Sequence, residues 1–475
     1  MLLSTLLKGI QTLNAWQDCE IEAITCDSRQ AKAGTLFAAI PGEQVDGHDY
    51  AQKAVAQGAS VVLAERAVGT AVQEILVPST RDAFQLLCAN FFGHPEQEMK
   101  FLAVTGTNGK TSATQFVKSI LDGLGVKAGL LGTVYNQIGA ETLPAAFTTP
   151  EPYQLFSLLR RMKDAGVETV VLEVSSQAMD QRRVDSLPFA VAGFTNLTQD
   201  HLDYHKTMEN YKEAKARLFT MAEKAVLNSD DATGREWAER FGGLTYSAQG
   251  AADLAASEIQ IDVSGVQYRL TYGEKSAEIR VSTPGLFTVS NTLCAAGVLL
   301  QAGYSFEEVA AGLNRIPKVP GRAEIITEEL PFAVMLDYAH TPDALENILT
   351  TIRTYAKGRV VTLFGCGGDR DRTKRPKMAR AAAKYSDFLI VTSDNPRTED
   401  PAAIIREILV GLEGSSVPYV VFENRKEAIG YAIRNAQKDD LILLAGKGHE
   451  DYQIIGTTKI HFNEKEIVKE FLEQC

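Results

Sequence analysis

The chain has little of what would classify it at a glance. Its six cysteines (19, 26, 88, 294, 366 and 475) form no C-x-x-C pair and no metal-ligand spacing. That excludes a disulfide framework or a thiolate zinc site, and reduced thiols are expected. No apolar run reaches the roughly 18 residues of a membrane span. The N-terminus, MLLSTLLKGIQTL, lacks a basic leader and is interrupted by Lys8 and Gln11. No signal peptide is expected from it, and a cytoplasmic location is. Positive charge is also short: 48 Lys and Arg face 60 Asp and Glu, a formal charge of -12. Such a surface attracts neither nucleic acid nor anionic lipid, so any anionic substrate must be held by local basic groups. No N-K-x-D guanine motif is present, which removes support for a nucleotide switch or motor.

At 475 residues, 45% hydrophobic and 23% charged, the chain has enough material for several globular cores, with roughly two to four domains of about 100 to 200 residues expected. Residues 1–96 mix short apolar runs with helical stretches and close on Phe92-Gly93-His94-Pro95, a boundary signal. From 97 to 318, the runs KFLAVTG, ETVVLEVSS, FAVAGFTNL and KAVLNSDD read as parallel strands with crossover helices. Within that stretch SEIQIDV, GVQYRLTYG and SAEIRVST alternate apolar and polar residues, the pattern of a small antiparallel sheet. PKVPGRAE marks a junction, and 319–475 alternates strands and helices again, a second doubly wound unit. The fold class is therefore α/β in three domains: a small N-terminal unit, a central P-loop-type parallel sheet, and a C-terminal Rossmann-like unit. Ligands in such sheets bind beyond the strand ends, so 106–111, 173–176 and 195–205 are expected to converge.

FLAVTGTNGKTS (101–112) carries the clearest chemistry. A Gly-rich turn between strand and helix offers N–H groups to phosphate, Lys110 adds a point charge, and Thr111 supplies a magnesium ligand. It departs from G-x-x-x-x-G-K-[ST], since Val104 stands where the first Gly belongs. A tight turn with a surface lysine is the alternative. Glu173 at a strand end suits a magnesium-bound phosphate, or simply faces water. Asp200, His201, Asp203 and His205 fall within six residues, as metal ligands or a helix start, and Lys215 follows on a helix, where it reads as a salt-bridge partner or a solvated group.

Several segments together resemble one family, the Mur ligases of peptidoglycan synthesis, which join an amino acid to a nucleotide-linked carboxylate using ATP. They are TGTNGKT, TTP (148–150), EVSS, HLDYH, the AK of KEAKARLF, PGRAE, DYAHTPD (337–343) and GKGHE. The non-Gly residue at 104 belongs to that family's own loop. The resemblance implies ATP at Gly106, Thr107, Asn108, Gly109, Lys110, Thr111 and Ser112, with Asn291, Arg322 and Asp337 completing the nucleotide site. It implies magnesium on Thr111, Glu173, His201 and a carbamylated Lys215, with Lys110, Asn108, Glu173, His201 and Lys215 catalytic. Two steps follow: a substrate carboxylate takes the γ-phosphoryl group, and an amine then displaces phosphate, with domain closure keeping water out.

CDSRQ and GEQVDG resemble the branch of the family that adds the third amino acid. This implies that Ser28, Thr148, Thr149, Ser175, Gln181 and Arg183 bind the UDP-N-acetylmuramoyl dipeptide. One departure is Gln177, where many members carry His, and no role falls to it. SDNPRTEDP (393–401) reads alone as a turn with solvated charges. By resemblance, DNPR is the version that takes meso-diaminopimelate, through Arg370, Asp394, Asn395, Pro396, Arg397, Gly446 and Glu450. Diaminopimelate differs from lysine by a distal carboxylate, which a guanidinium grips with two hydrogen bonds. Of the basic run from Arg370 to Lys384, only Arg370 escapes reading as a solvated helix face. The rival readings are a lysine-adding member and a folylpolyglutamate synthase. A monomer is expected, with small-molecule substrates and no nucleic-acid or membrane partner.

Overall fold

The computed structural model describes residues 1–42, 45–262, 264–327 and 330–474. Glu43 and Gln44 of GEQVDG, and Cys475, lie outside the described residues. The other five cysteines are free thiols. The chain packs as two compact units: 1–105 with 125–192 and 214–224, and 106–124 with 193–213 and 225–475.

The first unit opens with a four-stranded parallel sheet, β1 (Ala23–Thr25), β2 (Thr35–Ala38), β3 (Ala59–Ala64) and β4 (Gln73–Leu76). Helix Thr80–Phe92 follows, capped by Ser79 accepting from Asp82 N and stopped at Gly93 in the left-handed region. Gly93 thus ends this helix, and Pro95 begins the 3-10 turn Pro95–Glu98. The unit continues with β5 (Lys100–Thr105), β6 (Ala128–Leu131), β7 (Tyr135–Ile138), β8 (Glu141–Pro144), β9 (Thr169–Glu173) and β10 (Phe189–Phe194), in the order β10-β5-β9-β6-β7-β8. β5, β9 and β6 are parallel, and every residue of β9 is buried. The antiparallel β7–β8 hairpin had no distinct signal in the sequence, because its strands are only four residues long and half exposed.

The second unit contains β11 (Lys224–Asn228), β12 (Leu244–Ser247), β13 (Leu254–Asp262), β14 (Gly265–Tyr272) and β15 (Lys275–Val281). β13, β14 and β15 are antiparallel as their alternation predicts. They do not stand apart: β13 also pairs in parallel with β12, through Tyr246 and Leu254. Helix Lys110–Gly123 packs on helix Leu286–Gln301. A six-stranded sheet completes the unit: β16 (Glu324–Ile325), β17 (Ala333–Asp337), β18 (Val360–Phe364), β19 (Phe388–Thr392), β20 (Tyr419–Phe422) and β21 (Leu441–Ala445), in the order β16-β17-β21-β18-β19-β20. Only β16 is antiparallel. Apolar clusters cover both faces, which is why its strands read as continuous Val, Ile and Leu runs. The hairpin β22 (Tyr452–Ile455) and β23 (Thr458–His461) stands beside it. No helix among the described residues is long and apolar enough to cross a membrane.

Candidate active site

In the second unit, residues 106–110 turn into helix Lys110–Gly123. Gly106 and Gly109 have φ of 149° and 87°. A Cβ at Gly106 would collide with Thr195 Oγ1, and one at Gly109 with Asn291 Oδ1. Both positions therefore need glycine for conformation and for space. The loop is tied to the strand end beside it. Thr107 N donates to Asn196 O at 2.8 Å, Asn108 N to Asn196 Oδ1 at 2.9 Å, and Thr195 Oγ1 to Asn108 O at 2.5 Å. Lys110 Nζ curls over the turn and donates to the carbonyls of Gly106 and Thr107, both at 2.9 Å. A helix N-terminus with a lysine folded across it is a ready anion site.

Beside this loop lies a cavity of about 290 Å³. Asn108, Gly109 and Ser112 line it together with Asn291, Arg322 and Asp337, and Leu286, Phe287, Ala344 and Ile348 add an apolar wall. Residues read from distant parts of the sequence as one nucleotide site thus share one cavity. Arg322 Nη2 donates to Thr111 Oγ1 at 3.2 Å, and its guanidinium lies 4.7 Å above the Tyr338 ring. Asp337 accepts from Ala323 N at 2.7 Å and Ala339 N at 2.8 Å. Burial raises its carboxyl above the ordinary range despite the nearby Arg322 charge. Asp343 Oδ2 accepts from Asn108 Nδ2 at 3.1 Å and Thr198 Oγ1 at 3.2 Å.

His201 has φ of 52°, and its Nε2 lies 3.4 Å from Asp200 Oδ2. Burial alone would raise the Asp200 carboxyl, but the charges of His201, His340 and Lys374 outweigh it and pull the pKa down to about 2. The loop and the 195–205 segment therefore come together as expected. Glu173 to Ser176 belongs to the first unit, with its own partners. Among the described residues, no three His, Cys, Asp or Glu side chains gather as a metal site.

In the first unit Glu173 is 1% exposed. Its Oε1 accepts from Thr133 N and its Oε2 from Thr133 Oγ1, both at 2.9 Å. Thr148 Oγ1 lies 3.1 Å from Thr133 Oγ1. Thr149 Oγ1 donates to Glu173 O at 2.8 Å and accepts from Ser175 N at 3.0 Å. Arg183 Nη1 donates to Thr149 O at 3.0 Å and its Nη2 to Gln181 Oε1 at 2.6 Å. Thr148, Thr149, Ser175, Gln181 and Arg183 thus form one polar cluster around the end of β9. Ser28 sits elsewhere in this unit, buried at the start of the 3-10 turn Ser28–Gln30. Lys215, on helix Met208–Met221, is 1% exposed.

The third constellation lies at the ends of β18, β19 and β21. Arg397 has φ of 53°, and the β22–β23 hairpin clasps its backbone: Arg397 N donates to Ile454 O at 3.1 Å and Gly456 N to Arg397 O at 2.7 Å. Arg397 Nη1 and Arg370 Cγ lie 2.9 and 3.8 Å from the position a Cβ would take on Gly367. Burial and the Arg370 charge push the Arg397 guanidinium below its ordinary range. Two neighbouring like charges of this kind invite an anion. Pro396 opens a turn closed by Glu399 N donating to Pro396 O at 3.2 Å. Asn395 Nδ2 donates to Glu450 Oε2 at 2.9 Å, and a Cβ on Gly446 would stand 3.2 Å from Asp394 Oδ2.

Over 480 aligned residues, covering 100% of this chain and 99% of the relative, the chain is 44% identical to the UDP-N-acetylmuramoyl-L-alanyl-D-glutamate--2,6-diaminopimelate ligase of Caldanaerobacter subterraneus subsp. tengcongensis. The chain belongs to the Mur ligase family. Residues 20–91 match the family model described as Mur ligase family, catalytic domain; 104–299 match the Mur ligase middle domain; and 321–448 match the Mur ligase, glutamate ligase domain. The enzyme of the same name from Bacillus velezensis is 42% identical, over 98% of this chain and 97% of its own. A solved structure of a UDP-N-acetylmuramoyl-L-alanyl-D-glutamate--2,6-diaminopimelate ligase superposes with a TM-score of 0.68 at 31% identity, covering 96% and 95% of the two chains. The fold is the three-domain α/β architecture of Mur ligases.

Against that family background, several residues escaped sequence reasoning. Asp343 follows Thr341-Pro342 and reads as an ordinary first-turn acid, since Thr341 caps the helix. Thr133 and Phe287 carry no motif, and only packing brings them to Glu173 and to the cavity wall. Arg375 corrects the reading of the basic run as solvated beyond Arg370. It is fully buried, donating to Glu399 at 2.8 Å and Glu407 at 2.7 Å. Its position on the inner face of helix Arg375–Tyr385 was hidden by its polar neighbours.

Proposed function

We propose that the chain is an ATP-dependent amide ligase that adds meso-diaminopimelate to the D-Glu carboxylate of UDP-N-acetylmuramoyl-L-Ala-D-Glu in peptidoglycan precursor synthesis. The observation that carries this reading is the DNPR loop. Arg397 and Arg370 flank Gly367 beside the carboxylates of Asp394 and Glu450, a charge pattern suited to an amino-acid end bearing both an anion and a cation. A lysine in that place would leave Arg397 without an anion, a heavier loss than a missing methylene.

ATP occupies the loop and the adjoining cavity. The N–H groups of 106–112 and Lys110 hold the β and γ phosphates, and Asn291, Arg322 and Asp337 hold the nucleoside. The muramoyl dipeptide lies against Thr148, Thr149, Ser175, Gln181 and Arg183, with Ser28 toward its nucleotide. The D-Glu carboxylate attacks the γ-phosphorus, giving an acyl phosphate and ADP. The diaminopimelate amine then attacks the acyl carbon, a tetrahedral intermediate collapses, and phosphate leaves with the amine's proton passing to the surroundings. The residues 1–96, 97–318 and 319–475 serve as the nucleotide-sugar, ATP and amino-acid domains.

Magnesium fits the donor chemistry, since the Thr111 hydroxyl and the buried Glu173 carboxylate are hard oxygen donors. Thr111 and Glu173 would hold one magnesium ion and His201 a second, with a carbamylated Lys215 assisting the metal site, and when bound the ions would neutralise phosphate charge. Lys215 is buried at 1% exposure. Conversion to a carbamate replaces its ammonium with an anion suited to a cation site. ADP release tests the whole reading. It should require both the muramoyl dipeptide and meso-diaminopimelate, and equal turnover with L-lysine would overturn the choice of amino acid.

A further inference from the structure

Lys447 lies in the GKGHE turn after β21 (Leu441–Ala445). Its side chain is 0% exposed. Nζ donates to Glu450 Oε2 at 3.0 Å and to Asn395 Oδ1 at 3.4 Å, and lies 3.7 Å from Asp394 Oδ1. The rings of Tyr452 and Phe462 stand 5.5 and 5.8 Å from it. The ammonium is therefore enclosed by two carboxylates, an amide and two aromatic faces. Asp394 Oδ1 is buried and accepts no hydrogen bond from the described residues. A carboxylate in that state has capacity left for an incoming donor.

The local charges give this arrangement a purpose. Asp394 and Glu450 carry two negative charges, and Lys447 cancels one. The group of Asp394, Glu450 and Lys447, the floor of the proposed site, thus carries a single net negative charge, while Arg397 and Arg370 offer the positive side. The distal end of diaminopimelate brings one ammonium and one carboxylate, which match both sides. L-Lysine brings the ammonium alone. Were the floor to hold two uncompensated carboxylates, it would bind that ammonium strongly with no help from the arginines.

We infer that Lys447 is a specificity-determining residue, a buried counter-charge that weakens the Asp394–Glu450 pair enough that an amino acid binds well only if its distal carboxylate also engages the arginines. This rests on the reading that the DNPR loop takes diaminopimelate. Selectivity here comes from weakening the wrong complex as much as from stabilising the right one.

The test measures kcat/KM for meso-diaminopimelate and for L-lysine with the full chain, at saturating ATP, magnesium and muramoyl dipeptide. The wild-type preference examines the underlying reading alone: a wild type favouring lysine defeats that reading. The variants examine Lys447. Lys447→Met should raise the lysine-to-diaminopimelate ratio by roughly tenfold or more, the scale of one charged partner in a shielded pocket. Lys447→Gln keeps a hydrogen-bond donor but loses the charge, and should shift the ratio likewise. A role in positioning alone would be rescued by glutamine. The double variant Lys447→Met with Glu450→Gln restores one net negative charge without leaving a buried partner, and should return the ratio to near wild type. Equal losses for both amino acids in the single variants, or a ratio in the double variant as shifted as in Lys447→Met, would overturn the inference. If neither single variant folds, the double variant is compared with Glu450→Gln alone: the double variant should show the higher lysine-to-diaminopimelate ratio, and equal ratios would overturn the inference.

Discussion

Lys215 shows how burial changes the meaning of a residue type. On a helix written KEAKARLF it reads as one of several charges, yet it is 1% exposed while Lys212, three residues earlier, pairs on the surface with Glu236. An ammonium is a poor neighbour for magnesium, whereas a carbamate supplies oxygen. Lys215→Ala is expected to lower ligation by roughly a hundredfold or more, at the upper end of effects seen when a group supporting a metal site is removed. Formate or acetate should restore part of the rate. Turnover and thermal melting measured side by side distinguish this from a folding defect, and full activity of the alanine variant without additives would refute the role. At this scale the sequence was informative where a residue sat in a recognisable segment, as do Asn108 and Asp337, which share the cavity. It was silent on Thr133, whose contact with Glu173 no segment marks.

Among the elements, the two loops that present Arg370 and Arg397 are held in register by a residue that touches neither guanidinium. Arg375 donates to Gly367 O at 3.2 Å and to Glu399, whose Oε1 also accepts from Asp369 N at 2.5 Å. Asp369 in turn accepts from Thr398 Oγ1 at 2.9 Å. The Arg375 hydrogen bond is the main reason the Glu399 carboxyl lies at about 2, well below its ordinary value. Removing one member of such a network strands the other. Arg375→Met is therefore expected to destabilise the protein by about 3 kcal/mol, read as a lower urea midpoint with an unchanged m-value. The KM for diaminopimelate should rise as the loops separate. A stability within 0.5 kcal/mol of wild type would show that the network contributes little. The strands and helices that carry these loops were legible from periodicity. The hairpin clasping Arg397 was not, since β22 and β23 are four residues each and largely exposed.

For the molecule as a whole, acid should act chiefly on the second unit, where His340 and His449 are both held neutral. Burial, with the Lys374 charge, lowers His340 to about 4, and burial, with the Arg322 charge, lowers His449 to about 3, from an ordinary 6.5. Both folded values lie below the unfolded one, so the unfolded chain binds the extra protons first. The stability these groups contribute is complete above pH 6.5 and is lost as pH falls toward 4 and 3. Each histidine can cost up to about 1.4 kcal/mol per pH unit in that window. Urea midpoints measured from pH 7 to 4.5 should fall, and fall less steeply in a His340→Gln, His449→Gln double variant; parallel curves would refute the assignment. By itself, the sequence determined the strand and helix pattern, the glycine-rich turn before helix Lys110–Gly123 and the family, because each is written in local composition, periodicity or contiguous segments. Only the tertiary structure decided that Asn108, Asn291, Arg322 and Asp337 share a cavity, that Arg375 is buried, and that Lys447 faces Asp394 and Glu450. Those facts depend on which distant side chains packing brings within a few ångströms, and burial there changes what a charge does.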